Sequence, residues 1–242
     1  MQYQHELYEA RLLKRYKRFM ADVELPDGSQ ITLHCPNTGS MKNCIFPGGK
    51  VWYSDSDNPK RKHPCTWEQA EIPVSFNGQQ KTALAGLNTH RANALVEELL
   101  VKSLVPELSG YKNISREVRY GQENSRIDLL LQGDDLADCY VEVKSVTLAT
   151  GDGLGIFPDA VTARGVKHLR ELMHIKEQGK RAVLFFCVQH TGIEKVAPAD
   201  DIDPLYGKTL REAAQAGVEI MAWGAEVSPA AITLTTPLPV IM

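Results

Sequence analysis

Ala182–Val188 reads Ala-Val-Leu-Phe-Phe-Cys-Val, seven apolar residues without interruption. A strand with one wet face alternates apolar and polar residues, so an unbroken run is expected of a strand covered on both faces. That places it in a sheet with helices on either side, an α/β arrangement. The neighbouring segments agree. Pro158-Asp159 opens a predicted helix that runs to about Gln178 and is closed by Gly179. Val166, Leu169, Leu172 and Met173 fall on one side of it, Arg164, Lys167, His168 and Glu171 on the other. A second helix, Leu205–Ala216, ends at Gly217 and leads to the strand Val218–Trp223. Upstream, Asn88 or Thr89 caps a helix to about Leu104, with Leu95, Val96, Leu99 and Leu100 as its apolar face. Glu117–Tyr120, Arg126–Gln132 and Cys139–Val146 read as strands, the last two joined by Gly133-Asp134-Asp135.

Before residue 87 the character differs. Arg11–Tyr16, Phe19–Leu25, Gln30–Cys35, Val51–Ser54 and Thr66–Ile72 are short strand candidates broken by Pro26-Asp27-Gly28-Ser29, Pro36-Asn37-Thr38-Gly39-Ser40 and Pro47-Gly48-Gly49. Several short strands at this spacing suggest a small barrel or sandwich, and a five-stranded barrel of the oligonucleotide-binding (OB) type fits the length. The expectation is α+β overall: an all-β OB-like barrel over 1–86, then an α/β domain over 87–242.

Charge follows the same division. Residues 1–86 hold 11 Lys+Arg against 9 Asp+Glu, and residues 87–242 hold 16 against 21. The basic residues of the first part are bunched in Lys14-Arg15-Tyr16-Lys17-Arg18 and Lys60-Arg61-Lys62-His63. Point charges beside an aromatic ring suit a phosphate backbone; the bland alternative is a solvated face. A pI of about 6.2 means that any nucleic-acid contact is local. Five cysteines with no C-x-x-C pair argue against a disulfide framework or a cysteine zinc site. No apolar stretch approaches the roughly 18 residues of a membrane helix, and the N-terminus shows no secretory pattern. The expectation is a cytoplasmic protein with no membrane partner.

Chemistry concentrates at Arg126-Ile-Asp128 and Val141-Glu142-Val143-Lys144. Glu142 and Lys144 are two apart on a strand and share a face, and Asp128 reaches that face from the neighbouring strand. Two adjacent carboxylates repel, a hard divalent cation such as Mg²⁺ or Mn²⁺ relieves the repulsion, and a lysine beside them can hold an attacking water or stabilise a phosphate. The expected ion ligands are Asp128, Glu142 and the backbone carbonyl of Val143, with Glu98, or failing it Glu97, adding a carboxylate from the first helix. An ordinary solvated strand is the plain alternative for E-x-K alone. His34, Asn37 and Thr38 are candidates for a phosphate-contacting loop, or for a plain tight turn; Arg164, Lys167 and His168 are candidates to hold substrate phosphates. Trp52, Tyr53 and Trp67 are read as barrel core ahead of base stacking. The chain has no G-x-S-x-G elbow and no P-loop.

Longer strings carry a resemblance. They include Arg15-Tyr-Lys-Arg-Phe19, His34-Cys-Pro-Asn-Thr-Gly-Ser-Met41, Val51-Trp-Tyr-Ser-Asp-Ser-Asp-Asn-Pro-Lys-Arg-Lys62, Ser125-Arg-Ile-Asp128, Tyr140-Val-Glu-Val-Lys-Ser-Val-Thr-Leu148 and Phe157-Pro-Asp-Ala-Val-Thr162. On these the chain resembles the sugar fermentation stimulation (SfsA) family over nearly its whole length, and its second part resembles the PD-(D/E)xK nuclease superfamily. The resemblance implies an OB-like barrel joined to a nuclease-like domain, non-specific DNA binding and a regulatory part in sugar (maltose) metabolism; a DNA binder in the cytoplasm could associate with the nucleoid. Two functions are open: a DNA-binding protein whose nuclease-like domain does not cut, or a working Mg²⁺-dependent nuclease using Asp128, Glu142 and Lys144. A homodimer would let two sites address two strands.

Overall fold

The computed structural model describes residues 1–3, 6–58, 60–121 and 125–242. Gln4 and His5 of the N-terminal stretch and Pro59 of the basic loop lie outside the described residues.

The first part is a barrel. Strands β1 (Tyr8–Tyr16), β2 (Met20–Glu24), β3 (Gln30–His34), β4 (Lys50–Asp55), β5 (Cys65–Phe76) and β6 (Gln79–Gly86) form a sheet in the order β3-β2-β1-β4-β5-β6. A parallel contact between β3 and β5 at His34 and Thr66 closes five of them into a ring. β6 lies outside that ring and pairs along β5 from Gln69–Gly86 to Phe76–Gln79. Alternate residues point inward, so Leu12, Val23, Leu33, Trp67 and Ile72 fill the interior. Trp67 and Tyr53 belong to the barrel core, as the core reading has it, while Trp52 is buried outside that cluster.

A 3-10 turn (Thr89–Arg91) runs into helix α1 (Ala92–Val101), started by the Asn88 side chain accepting the His90 N–H. Next come β7 (Asn113–Tyr120), β8 (Ser125–Gln132) and β9 (Cys139–Val146), followed by the short strands β10 (Leu148–Gly151) and β11 (Leu154–Phe157). Helix α2 (Ala163–Glu177), β12 (Arg181–Val188), β13 (Lys195–Pro198), α3 (Pro204–Gln215), β14 (Glu219–Val227) and β15 (Ile232–Pro237) complete the chain. The main sheet has the order β15-β14-β12-β9-β8-β7, and β10-β11-β13 form a small second sheet. β12, the apolar run, is buried from Ala182 onward, with parallel neighbours β9 and β14. One face of the sheet packs on α2 and α3 through Leu169, Leu172, Leu184 and Leu210. The other packs on α1 through Leu95, Leu99, Val141 and Phe185. Each such side chain taken from water stabilises by about 1.5–3 kcal/mol.

Three expectations need correction. Helix α2 starts at Ala163 and not at Pro158, because Thr162 is the cap: its hydroxyl accepts the Gly165 N–H at 3.0 Å. Asp159 is spent elsewhere, on the barrel. His168 and Glu171, placed opposite the apolar side of the helix, are buried like it. The polar segment after Ile72 is strand, continuing β5 into a hairpin with β6.

The two parts are pinned together. Asn43 Nδ2 donates to Ala149 O at 2.9 Å, the Asn77 N–H donates to Asp152 Oδ1 at 2.8 Å, and the Gly86 N–H donates to Gln189 O at 2.8 Å. Residues 1–3 run along the second part: the Met1 ammonium donates to Ile232 O at 2.7 Å and Tyr3 N–H to Ala230 O at 3.2 Å. Among the described residues no helix is long and apolar enough to cross a membrane.

Candidate functional site

The antiparallel ladder between β8 and β9 covers Leu129–Val141, Leu130–Tyr140 and Leu131–Cys139, and it stops there. Beyond it the Asp128 side chain takes the place of a backbone acceptor: Oδ2 receives the Val143 N–H at 2.7 Å. Oδ1 receives Asn93 Nδ2 from the first turn of α1 at 2.8 Å. On β9, Lys144 Nζ donates to Glu142 Oε1 at 2.6 Å. His168, carried in by the leucine-anchored face of α2, also bonds Glu142 Oε1 through Nδ1. Its Nε2 lies 3.3 Å from Arg164 Nε, and its Nδ1 also lies 3.2 Å from Lys144 Nζ.

The electrostatics of the pair are lopsided. Burial, and then the charge on Glu142, push the Asp128 carboxyl up to about 6. Burial alone would raise Glu142 too, but Lys144 and His168 outweigh it and hold that carboxyl below its ordinary range. Glu142 is therefore the charged partner. Its second oxygen, Oε2, is buried with no hydrogen-bond partner among the described residues, and such an oxygen costs free energy until something meets it. Two hard oxygen donors, one of them unsatisfied, fit a divalent cation of the Mg²⁺ type, which binds one or two protein carboxylates and keeps several waters. Among the described residues no group of three or more His, Cys, Asp or Glu forms a fuller cage.

Glu98 does not join this cluster. Its carboxylate is taken by Lys102 at 2.6 Å and by the Met1 ammonium at 2.7 Å. Glu97 pairs with Arg116. The residue that α1 contributes is Asn93.

Across from Lys144 lies the barrel. Asn37, Thr38 and Gly39 share a cleft of about 260 Å³ with Asn93, Val143, Lys144 and Asp159. This loop is latched from both sides. Ser40 Oγ donates to Asp159 O at 2.9 Å, and the Met41 N–H donates to Asp159 Oδ2 at 3.1 Å. A Cβ at Gly39 would stand 2.5 Å from Asp159 Oδ2, so any larger residue there displaces the Asp159 carboxylate. From the barrel side, Arg15 donates to the carbonyls of Arg18, Asn37, Gly39 and Ser40 at 2.8–3.2 Å. Arg15 thus holds the loop through both of its Nη groups.

The other basic candidates are spread over the barrel. Lys17 and Arg18 are exposed in the β1–β2 turn, and Lys14 is exposed at 3.4 Å from Asp22. Lys60, Arg61 and Lys62 are exposed between β4 and β5, with Arg61 Nη2 3.4 Å from Thr66 Oγ1. His34 sits at the barrel closure, and burial, then Arg61, lower its pKa; it does not line the cleft. Arg164 and Lys167 line a second groove of about 410 Å³ with Arg119 and Arg126. His168 lies between groove and cleft, against Glu142. Asn93 and Arg119 are not singled out from the sequence, and Arg126 and Asp159 are named there without a role at the site. Asn93 has no local signature, Asp159 was absorbed into a helix start, and the two arginines face each other only once β7 and β8 pair.

A closed five-stranded barrel clasped against a mixed α/β sheet domain, with two carboxylates and a lysine near the junction, defines the class: a two-part α+β chain of barrel and sheet domain. Residues 13–76 match the SfsA N-terminal OB domain, and residues 90–231 match the sugar fermentation stimulation protein RE domain. The chain belongs to the sugar fermentation stimulation protein family. It is 55% identical over 240 residues to a homolog from Shewanella piezotolerans, covering 99% of each chain. It is 58% identical over 232 residues to one from Shewanella loihica, covering 96% of each. The solved structure of Pyrococcus furiosus SfsA in complex with Ca²⁺ is similar at 28% identity and a TM-score of 0.84, over 100% of this chain and 98% of that one.

Proposed function

We propose that the protein binds DNA through its phosphate backbone, without sequence preference, and that Asp128, Glu142 and Lys144 form a divalent-cation-dependent phosphodiester-cleaving centre. The observation that carries this is the buried, unpartnered Oε2 of Glu142 beside Asp128. The Ca²⁺ complex of the Pyrococcus furiosus relative supports it; Mg²⁺ or Mn²⁺ is the working ion we assign. When bound, the cation neutralises the two carboxylates and polarises a phosphoryl oxygen. The chain's own groups do the rest. Val143 N–H and Asn93 hold the Asp128 carboxylate in one orientation. His168 fixes Glu142 Oε1, leaving Oε2 for the ion. Lys144, on the cleft wall, holds a water or the charge that develops on the phosphate. Asn37 and Thr38 form the opposite wall, and the exposed Lys60–Lys62 loop adds sequence-independent affinity.

A second reading is favoured by Lys144, whose side chain is only 13% exposed and whose ammonium is already committed to Glu142: a DNA binder that does not cut, acting on sugar (maltose) metabolism as a regulator. Calorimetric titration with Mn²⁺, alongside cleavage assays on single- and double-stranded DNA, separates the two. The nuclease reading expects an ion bound by wild type, lost in Asp128→Asn and Glu142→Gln and kept in Lys144→Ala, with cutting lost in all three. A wild-type protein that binds no ion and cuts nothing leaves the binding reading.

A further inference from the structure

The groove beside α2 is built against its own electrostatics. Arg119 on β7 and Arg126 on β8 are direct cross-strand partners, and like charges directly opposite one another destabilise a sheet. Neither makes an ion pair or side-chain hydrogen bond among the described residues. Arg164 adds a third positive charge from the first turn of α2, which contains no acidic residue. A cation there opposes the helix dipole, which favours anions at that end. Lys167 lines the same groove, and Glu117 is the one carboxylate among the described lining residues. Ser125, nine-tenths buried or more, also lines it, and its hydroxyl has no hydrogen-bond partner among the described residues. Two unfavourable charge placements and an idle hydroxyl converge on one concave surface. An anion with several acceptor oxygens would relieve all three.

The groove's position says which anion. His168 lines it and bonds the Glu142 oxygen that also holds Lys144, while Lys144 lines the cleft under Asn37 and Thr38. Cleft, carboxylates and groove are consecutive stations, linked through one shared oxygen. We propose that the Arg119–Arg126–Arg164 groove is a backbone-phosphate site for a nucleic-acid strand whose neighbouring phosphate lies at the Asp128–Glu142 centre. This rests on the DNA-binding reading above and extends it: the second domain, acidic as a whole, contributes its own phosphate contacts beside the carboxylates.

The test is the salt dependence of oligonucleotide binding by the full chain, followed by fluorescence anisotropy. Each phosphate contact contributes about 0.7 to the logarithmic salt slope for single strands and about 0.9 for duplex. Loss of two contacts in the Arg119→Ala/Arg126→Ala pair should therefore lower the slope by about 1.4–1.8, so that its affinity deficit against wild type shrinks roughly sevenfold to twelvefold between about 50 and 200 mM salt. The Arg119→Lys/Arg126→Lys pair should keep the wild-type slope. The alanine pair should also melt higher than wild type, since it removes the facing charges; a lower melting temperature would mark the arginines as structural and overturn the assignment. An unchanged slope with wild type still binding DNA overturns the groove alone. Wild type failing to bind at low salt overturns the DNA reading and this one with it. Inorganic phosphate binding that is lost in the alanine pair while oligonucleotide binding is unaffected would assign the groove to a free anion instead.

Discussion

Asp128→Asn should make the cation-free protein more stable near neutral pH while removing its ion site. The substitution keeps shape: the new side-chain oxygen can still accept the Val143 N–H, and Asn93 can turn its amide to present oxygen in place of nitrogen. What changes is the proton. Asp128 sits at about 6 against an ordinary 3.8, a gap of 6 − 3.8, or about 2.2 units, which at about 1.36 kcal/mol per unit is about 3 kcal/mol. The folded state binds this proton more tightly than the unfolded chain does. Stability is therefore greatest below about pH 4, falls as pH rises through 4 to 6, and levels off above. Asparagine has no such titration. The variant should match wild type near pH 4 and exceed it by up to about 3 kcal/mol above pH 6. Urea unfolding of EDTA-treated protein across that range measures the difference, and saturating Mn²⁺ should restore wild type alone, by about 2.7 kcal/mol at a hundredfold excess over Kd. A variant less stable than wild type at neutral pH, or a difference that does not move with pH, would refute the reasoning.

Arg91→Ala should cost about 3–5 kcal/mol in urea unfolding, because Glu68, which is 2% exposed and receives Arg91 Nε at 2.6 Å and Nη2 at 2.8 Å, would lose its charged partner and keep the neutral donors Ser54 Oγ and Asn88 Nδ2. Replacing Glu68 by Leu in the same chain should recover much of that. Lys60, Arg61 and Lys62 all changed to Ala should weaken binding equally on unrelated DNA sequences in gel shifts and lower the salt slope by about 2–3; unchanged affinity would take that loop out of the interface. Arg15→Ala should destabilise by about 2 kcal/mol or more through loss of its charged hydrogen bonds while leaving the DNA salt slope where it was, read by thermal melting and anisotropy in parallel.

How much of this was legible in the residues depends on whether the deciding contact was local. Glu142 and Lys144 share a face by strand periodicity, and nothing distant alters that. Which residue of α1 meets Asp128 is set by where the helix crosses the sheet, so Glu98, acidic and well spaced, proved to be bound to Lys102 while the uncharged Asn93 reached the site. Arg15 sits in a basic run that reads as a phosphate contact, and only the return of residues 37–40 beneath it shows where its donors go. β6 had a readable signal: Asn77 and Gly78, at φ of 50° and 75°, form the kind of two-residue turn that Asn-Gly favours. Its polar Gln79-Gln80-Lys81-Thr82 start hid it, because a strand outside the barrel ring need not alternate cleanly. β10 and β11 are four residues each, too short for any period to show. The α2 start was misplaced because proline and aspartate imitate a cap, whereas Thr162 makes the bond.

The clasp between Asp159 and the barrel loop has a consequence for how selectivity is divided along the chain. On the proposed nuclease reading, the groups around the ion are anchored in one domain, and the wall that limits what reaches them belongs to the other. An isolated second domain would keep Asp128, Glu142 and Lys144 and yet present them under open sky, stripped of one wall. Conversely, a change confined to residues 37–40 would retune which polymers gain entry without altering a single charged atom at the centre.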